Sequence, residues 1–501
     1  MPVLAIGAGV KRVETTSFIP SDPVRSLRQI ALCVQSAWRS VVEQTLVLQV
    51  LAGSRLTDER KGARLSTGSR VVAVSGYIGG RRVGIALMTA LFCSAFQFFH
   101  SFGKAFETQP LAPYLLLEAT LAALIVLATT TVAMELASGR LRSLDAFFLL
   151  FPLCWLTLSA GFAWFAFDQP VIFGVSEDRR ILTLLYWFAF DPVRRRYGLT
   201  LSDILVALAL CACIYLIVAV GLQLLVPDRL SGREIPDLDT RRLRMSAPGD
   251  CFAISFLAGL TGCLISRPRA VDIVLAVVGL IGLLQVAQTR QLTLAAMATA
   301  LIIVWLLRPK WALTMGIIGA VAFVATIMVR GPILFEQLAD ALLPNISEFF
   351  GSSLAENARI HTLGIVTRLL TENHFFGLGA VSLLYDGGLS RFYGRNFFIN
   401  DVGILGEVFR VGFFYAAFVW AYAAAGLGLW QRINSAQHRA MIAGIYLFYF
   451  LQAPTDGFFY RLGFVHAFLF LLMSAAASRP YQTSSLAYRT PSHPAASLGP
   501  L

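Results

Sequence analysis

Charge is scarce in this chain: Asp, Glu, Lys and Arg make up 14% of its 501 residues against 57% hydrophobic ones, which excludes a soluble globular protein of ordinary make-up. Familiar catalytic signatures are missing too. No HExxH, no P-loop, no GxGxxG after a strand and no paired CxxC occurs, so nothing in the sequence asks for a metal, nucleotide or dinucleotide cofactor. The seven cysteines show neither metal-ligand spacing nor a disulfide framework. Cys93, Cys154, Cys211, Cys213, Cys251 and Cys263 lie in or beside apolar runs, and Cys33 lies near the N-terminus. The stretch from Met1 to Gly80 lacks the short apolar core and small-residue cleavage site of a secretory signal, so it reads as retained.

What is present is one apolar segment after another, the pattern of an all-α polytopic membrane protein. The net charge of +12 does not point to nucleic acid, because the arginines sit between apolar runs and not on a basic domain. With roughly 17 to 25 apolar residues needed per crossing, the expected spans are 84–102, 111–134, 146–166, 175–191, 201–226, 250–266, 270–288, 291–307, 311–329, 402–429, 439–454 and 458–477. That makes about twelve transmembrane helices. The fourth is the weakest, since Glu177, Asp178, Arg179 and Arg180 interrupt it, and a re-entrant or tilted segment is its alternative. The resulting division is a tail over 1–80, nine spans over 81–329, a large outer loop over 330–401, three spans over 402–477 and a disordered tail over 478–501. In the first tail Leu27, Ile30, Ala31, Val34, Trp38 and Val41 recur at helical spacing, as on a helix lying at a membrane surface.

Basic residues in the short loops set the orientation. Arg81 and Arg82, Arg140 and Arg142, Arg194 to Arg196, Arg267 and Arg269, Arg308 and Lys310, and Arg432 and Arg439 share one parity if the fourth span crosses. Both termini are then cytoplasmic, and 227–249 and 330–401 lie outside. The outer segments nevertheless hold many basic residues, nearly all arginine, whose planar fork of donors suits phosphate and carboxylate. For most of them solvation or local pairing is explanation enough. Arg290, in QTRQLTLAA, is held between two apolar runs with almost no loop. Arg359 heads a helical stripe with Leu363, Val366 and Leu370, opposite His361, Arg368 and Glu372, in a helix expected from Glu356 to Glu372. Arg244, in LRMSAPGD, precedes a span. Three arginines from separate elements could clamp a pyrophosphate, whose charge offsets their desolvation.

Asp401 begins the tenth span and shares a helical face with Leu405, Val408 and Gly412. As a simple helix cap it needs no function; as a carboxylate at a surface cavity it could act as a general base on a sugar hydroxyl. Gly412 is expected to permit close helix approach, and Glu407 and Arg410 to form a local ion pair. His374, ahead of FFGLG, reads as part of a helix-ending turn. Glu118 is a lone carboxylate within the second span, Asp456 lies in a PTDG turn and Asp386 in a glycine turn.

An arginine-led helix (NARIHTLGIVTRLL), a glycine turn (HFFGLG), and then Asp401, Val402, nine residues and Gly412 in order resemble the O-antigen ligase and Wzy-type polysaccharide polymerase family. Arg290 in QTRQLTLAA and Arg244 before SAPGD resemble the arginines of that family at a span start and in an earlier outer loop. The resemblance covers roughly Thr200 to Ala477. It implies an integral-membrane glycosyltransferase of the bacterial inner membrane that takes a glycan from an undecaprenyl-pyrophosphate carrier on the periplasmic face, without a metal or nucleotide sugar. Its partners would be that lipid-linked oligosaccharide and, from the same pathway, a chain-length regulator and a flippase. Arg244, Arg290 and Arg359 would hold the pyrophosphate and Asp401 would serve as base. Ligases of the family have histidine then asparagine where this chain has Asp401 and Val402, which leans toward a polymerase of exopolysaccharide, capsule or O-antigen. A ligase is the near alternative, and a lipid-linked glycan flippase or transporter the more distant one.

Overall fold

The computed structural model describes residues 69–97, 111–139, 141–225, 249–265, 268–287, 290–310, 358–382, 384–385, 388–394 and 397–478. Apart from the start of the first helix, these belong to one compact unit, Gly76–Leu501; a second unit covers Met1–Ser75. The expected surface helix over Leu27 to Val41, the ninth span, the segment with Arg244, and Asp386 lie outside the described residues.

Every described element is a helix. In chain order they are α1 (Ser69–Ala95), α2 (Leu111–Ala137), α3 (Ser143–Phe167), α4 (Val171–Asp178), a 3-10 stretch (Arg179–Tyr186), α5 (Trp187–Arg196), α6 (Leu201–Leu225), α7 (Gly249–Ile265) and α8 (Ala270–Ile281). A π-helical turn (Gly282–Ala287) extends α8. Then follow α9 (Arg290–Leu307), α10 (Ala358–Glu372), α11 (Leu389–Tyr393), a 3-10 turn (Ile399–Asp401), α12 (Gly403–Val411), α13 (Phe414–Trp430), α14 (Ala436–Asp456) and α15 (Gly463–Ala477). Among the described residues four helices are long and apolar enough to cross a membrane, or five if the bent pair α12 and α13 counts as one. Their outward faces carry Leu150, Ile217, Ile273 and Trp420, all exposed, and the shorter apolar α9 likewise exposes Leu301 and Trp305. So apolar an exterior is what lipid, not water, requires.

At the centre stands α15, apolar all round and buried along nearly its whole length, as a helix enclosed by others must be. An aromatic seam from α3 packs around it: Phe148 stacks on Trp187 at 4.8 Å and meets Phe470 edge-on at 5.1 Å, while Phe151 lies 5.0 Å from Phe459. Helices α7 and α8 form the tightest pair, because Gly259 and Gly279 let backbone meet backbone. A Cβ at Gly259 would come within 2.3 Å of Ala276 N, and one at Gly279 within 2.4 Å of Phe256 N.

The segment expected as the fourth span is a composite. Trp187 donates to Asp145 at 2.7 Å, Arg142 to Asp191 at 2.7 Å and Trp155 to Asp178 at 3.2 Å, so α4, the 3-10 stretch and α5 run back antiparallel along α3. The 3-10 winding stretches the chain, which lets an interrupted sequence cover that length. The tenth span departs from expectation, since its two helices meet at 110° across Gly412. Gly412 has φ +63° and its missing Cβ would lie 2.4 Å from Gly377 N. The glycine thus admits a loop backbone and a bend, not a neighbouring helix. Helix α1 begins at Ser69, inside the tail expected over 1–80, and runs on through Arg81.

One end of the unit is a basic collar. Arg81 pairs with Asp203 at 2.8 Å, Arg269 donates to Ser202 at 3.1 Å, and Arg308 donates to the Leu264 carbonyl at 2.9 Å. Arg194 reaches Ser478 at 3.0 Å. The short basic loops grouped by parity therefore meet at the same end; Arg140 and Arg267 lie outside the described residues.

Candidate functional site

At the opposite end the chain after α10 is fastened down on α3. Buried Gln169 donates to the Ala380 carbonyl at 2.9 Å and accepts from Ser382 N–H at 2.8 Å. Gly379, at φ +82°, lies so close to α3 that a Cβ would come within 2.2 Å of Ala163 N. Ahead of it, α10 ends in a reversed turn: Phe375 N–H bonds the Leu370 carbonyl at 2.7 Å and His374 N–H the Thr371 carbonyl at 3.1 Å, with His374 left-handed at φ +52°. That is a Schellman cap, so His374 is a helix-ending residue.

Helix α10 buries Thr362, Val366 and Leu370, and leaves Leu363 exposed. The apolar stripe therefore runs through 362, 366 and 370, one position away from the expected Leu363, because the groove between α12 and the 3-10 turn receives that edge of the helix. The polar face is as expected, with Arg368 and Glu372 exposed and 3.8 Å apart. Thr362 accepts from Phe398 N–H at 3.0 Å. This bond joins the turn of α10 that follows Arg359 to the stretch of chain that leads into Asp401.

The expected charges rearrange below that turn. Glu407 and Arg410 form no local pair; both are 2% exposed and each has distant partners. Arg410 donates to Asp178 Oδ1 and to Asn400 Oδ1, the latter at 2.6 Å, and lies over the Tyr460 ring at 4.1 Å. The other Asp178 oxygen accepts from Ser159 at 2.5 Å and from Trp155. Glu407 Oε1 accepts from Phe459 N–H at 2.6 Å and Tyr460 N–H at 2.7 Å. A carboxylate three residues from an arginine on a helix is usually its nearest partner. Here the two side chains of α12 enter different clefts: Arg410 reaches Asp178, and the N–H groups of the 458–460 turn take the glutamate.

A second buried chain backs this turn. Tyr446 and Tyr422 hydroxyls lie 2.8 Å apart, Tyr422 lies 2.7 Å from His466 Nδ1, and His466 Nε2 donates to the Phe458 carbonyl. Since a carbonyl only accepts, Nε2 carries the proton and Nδ1 accepts from Tyr422. Sequence reasoning missed Asp178, Arg410 and His466 as a set. The available signal was an ionisable residue inside an apolar run, which needs a buried partner.

Of the four residues expected to form the site, Arg244 lies outside the described residues, as do the side chains of Arg290, Arg359 and Asp401. Their backbones are placed: Arg290 opens α9, Arg359 is the second residue of α10 and Asp401 closes the 3-10 turn. The backbone stretches that carry Arg359 and Asp401 are joined by the bond between Thr362 and Phe398. Arg290 reaches the same end, since Gly249 at the start of α7 packs on Leu292. There, too, Tyr449 donates to Asp250 at 3.1 Å, and Arg461 lies 3.7 Å from Asp456. Glu118 is not a lone carboxylate, since it pairs with Arg179 at 2.6 Å. Among the described residues no group of three or more His, Cys, Asp or Glu is arranged to hold a metal ion.

No protein-family model matches the chain, and no curated protein matches it.

Proposed function

We propose that this protein is an integral-membrane glycosyltransferase that polymerises undecaprenyl-pyrophosphate-linked oligosaccharide repeat units of an exopolysaccharide, capsule or O-antigen. In this reading about twelve spans cross the bacterial inner membrane, both termini and the basic collar are cytoplasmic, and 330–401 is the periplasmic loop. Asp401 takes the proton from the acceptor sugar hydroxyl. That oxygen attacks the anomeric carbon of the donor, the bond to pyrophosphate breaks with inversion, and Arg244, Arg290 and Arg359 stabilise the charge growing on the leaving group.

One observation supports this most: the Asp401 turn is tied both to the arginine-bearing α10, through Thr362, and to the protein interior, through Asn400, Arg410 and Asp178. Such fastening on rigid elements is what a positioned acid–base group and an anion clamp require. It also lies at the end away from the basic collar, where a loop-built acceptor site would face the outer compartment.

The test is the surface and lipid-linked glycan profile of a deletion strain complemented with wild type or Asp401→Asn. Single repeat units on the carrier and no long chains, in deletion and variant alike, are expected. Accumulation of long carrier-linked chains would instead make the missing step ligation, and accumulation of repeat units on the cytoplasmic face would make it flipping. Arg290→Ala and Arg359→Ala are each expected to abolish long chains while the protein still inserts; normal polymer from either would refute the clamp.

A further inference from the structure

Three of the cysteines, scattered in sequence over α1, α6 and α7, converge on one point. Cys93 Sγ lies 3.6 Å from Cys211 Sγ, and Cys251 Sγ lies 3.9 Å from the same Cys211 Sγ. Cys211 and Cys251 are fully buried, while Cys93 is partly open to the exterior. The seam that carries the first pair is held in register on both sides. Thr89 donates to the Ala207 carbonyl at 3.4 Å below the thiols, and Tyr215 donates to the Phe96 carbonyl at 2.9 Å above them. Residues 89 and 93 of α1 and Phe96 just past its end thus face 207, 211 and 215 of α6, and the two helices run parallel in fixed alignment. None of the three thiols serves the glycosyl-transfer reading, and their convergence stands independently of it.

We propose that Cys93 and Cys211 form a dithiol that an apolar, membrane-soluble disulfide oxidises to a cross-link between α1 and α6. Cys93 is the point of attack, because a sulfur sealed among apolar side chains does not meet the reagent. The Cys93 thiolate displaces one thiol from the reagent and becomes a mixed disulfide. Cys211 then attacks the Cys93 sulfur and expels the second thiol. Two protein thiols are oxidised, the reagent disulfide is reduced to two thiols, and the two protons go to those leaving groups. Alignment of the seam makes the second step intramolecular, so it outruns loss of the adduct. The closed link would fix the α1–α6 seam at the end of the unit that holds the outer segment.

The experiment uses the full-length protein in detergent with Cys33→Ser, Cys154→Ser, Cys213→Ser and Cys263→Ser, and 4,4′-dithiodipyridine as the probe. The expected result is release of a second thiopyridone following the first, with a peptide-mapped bond between Cys93 and Cys211. Adding Cys211→Ser should halve the thiopyridone and leave the pyridylthio group on Cys93. Adding Cys93→Ser should abolish the rapid reaction, and this arm serves if Cys211→Ser does not fold. A pyridylthio adduct that persists on Cys93 while Cys211 is present would overturn the proposal. So would a bond between Cys211 and Cys251 in its place, or no reaction at Cys93.

Discussion

The two ends of the unit use the same chemistry, arginine with aspartate, in opposite ways. At the basic end Asp191 is buried but shared: Arg142, Arg194 and Arg195 contact it at 2.7, 2.8 and 3.0 Å, and the Arg142 and Arg195 side chains remain 36% and 42% open to solvent. Burial works against the Arg142 charge, but the hydrogen bond and attraction of Asp191, with Asp145 behind them, hold its guanidinium above its ordinary value. At the opposite end Arg410 and Asp178 are both sealed, and each is the other's charged partner. Redundancy with solvent contact makes a collar tolerant of change. A sealed pair is intolerant, because losing one partner strands the other charge in the interior.

The sharpest way to break this contrast is Arg410→Met. It should cost about 3–5 kcal/mol, read as a large fall in thermal midpoint in detergent, and should release the Asn400 anchor so that polymer is lost as well. Asp178→Asn should be comparably costly, since it strands the Arg410 charge and sets an amide NH2 against either the guanidinium or the Ser159 and Trp155 donors. Combining Arg410→Met with Asp178→Leu should recover part of the loss, because no charge is then stranded. If the double variant were as unstable as the two single losses summed, the pair would owe its worth to packing rather than to charge.

Next in size is Asp191→Asn at the collar. Three arginines lose their common carboxylate, yet Arg142 keeps Asp145 at 2.5 Å and Arg194 keeps Ser478, so about 1–2 kcal/mol is expected. Glu407→Gln should fall in the same range or below. The amide oxygen of the substituted side chain would still accept from Phe459 and Tyr460, the contacts that hold the turn over Arg410. A loss as large as that of Arg410→Met would mean that the Glu407 charge itself is needed.

How much of this was legible in the sequence follows from what each residue's environment depends on. Helix positions depend on apolar length, which is local; α6 at Leu201–Leu225 and α9 at Arg290–Leu307 fall within a residue of expectation. His374 was readable as a helix end because FFGLG encodes its own turn. Arg410 was not readable. Its partner Asp178 is 232 positions away, on an element that only tertiary packing brings up to α12, so the i, i+3 spacing to Glu407 was a false lead. The stripe on α10 was misjudged by one position at Leu363 for a similar reason: periodicity names a face, but the receiving groove selects its edge. The thiol convergence was equally hidden, since Cys93, Cys211 and Cys251 share no spacing that marks a site.

The smallest expected effect sharpens the contrast from its other side. Arg368 and Glu372 on α10 are 66% and 60% exposed, and their 3.8 Å separation is that of a solvated i, i+4 pair. Water screens both charges before and after substitution, and holding two long side chains together costs entropy that cancels most of the attraction. Arg368→Ala should therefore change stability by no more than about 0.5 kcal/mol, and raising the salt concentration should erase even that. Polymer length in the complemented strain should not change. A drop in polymer with unchanged stability would show that Arg368 touches the anionic substrate, and would extend the arginine clamp from Arg359 along the outward face of the same helix.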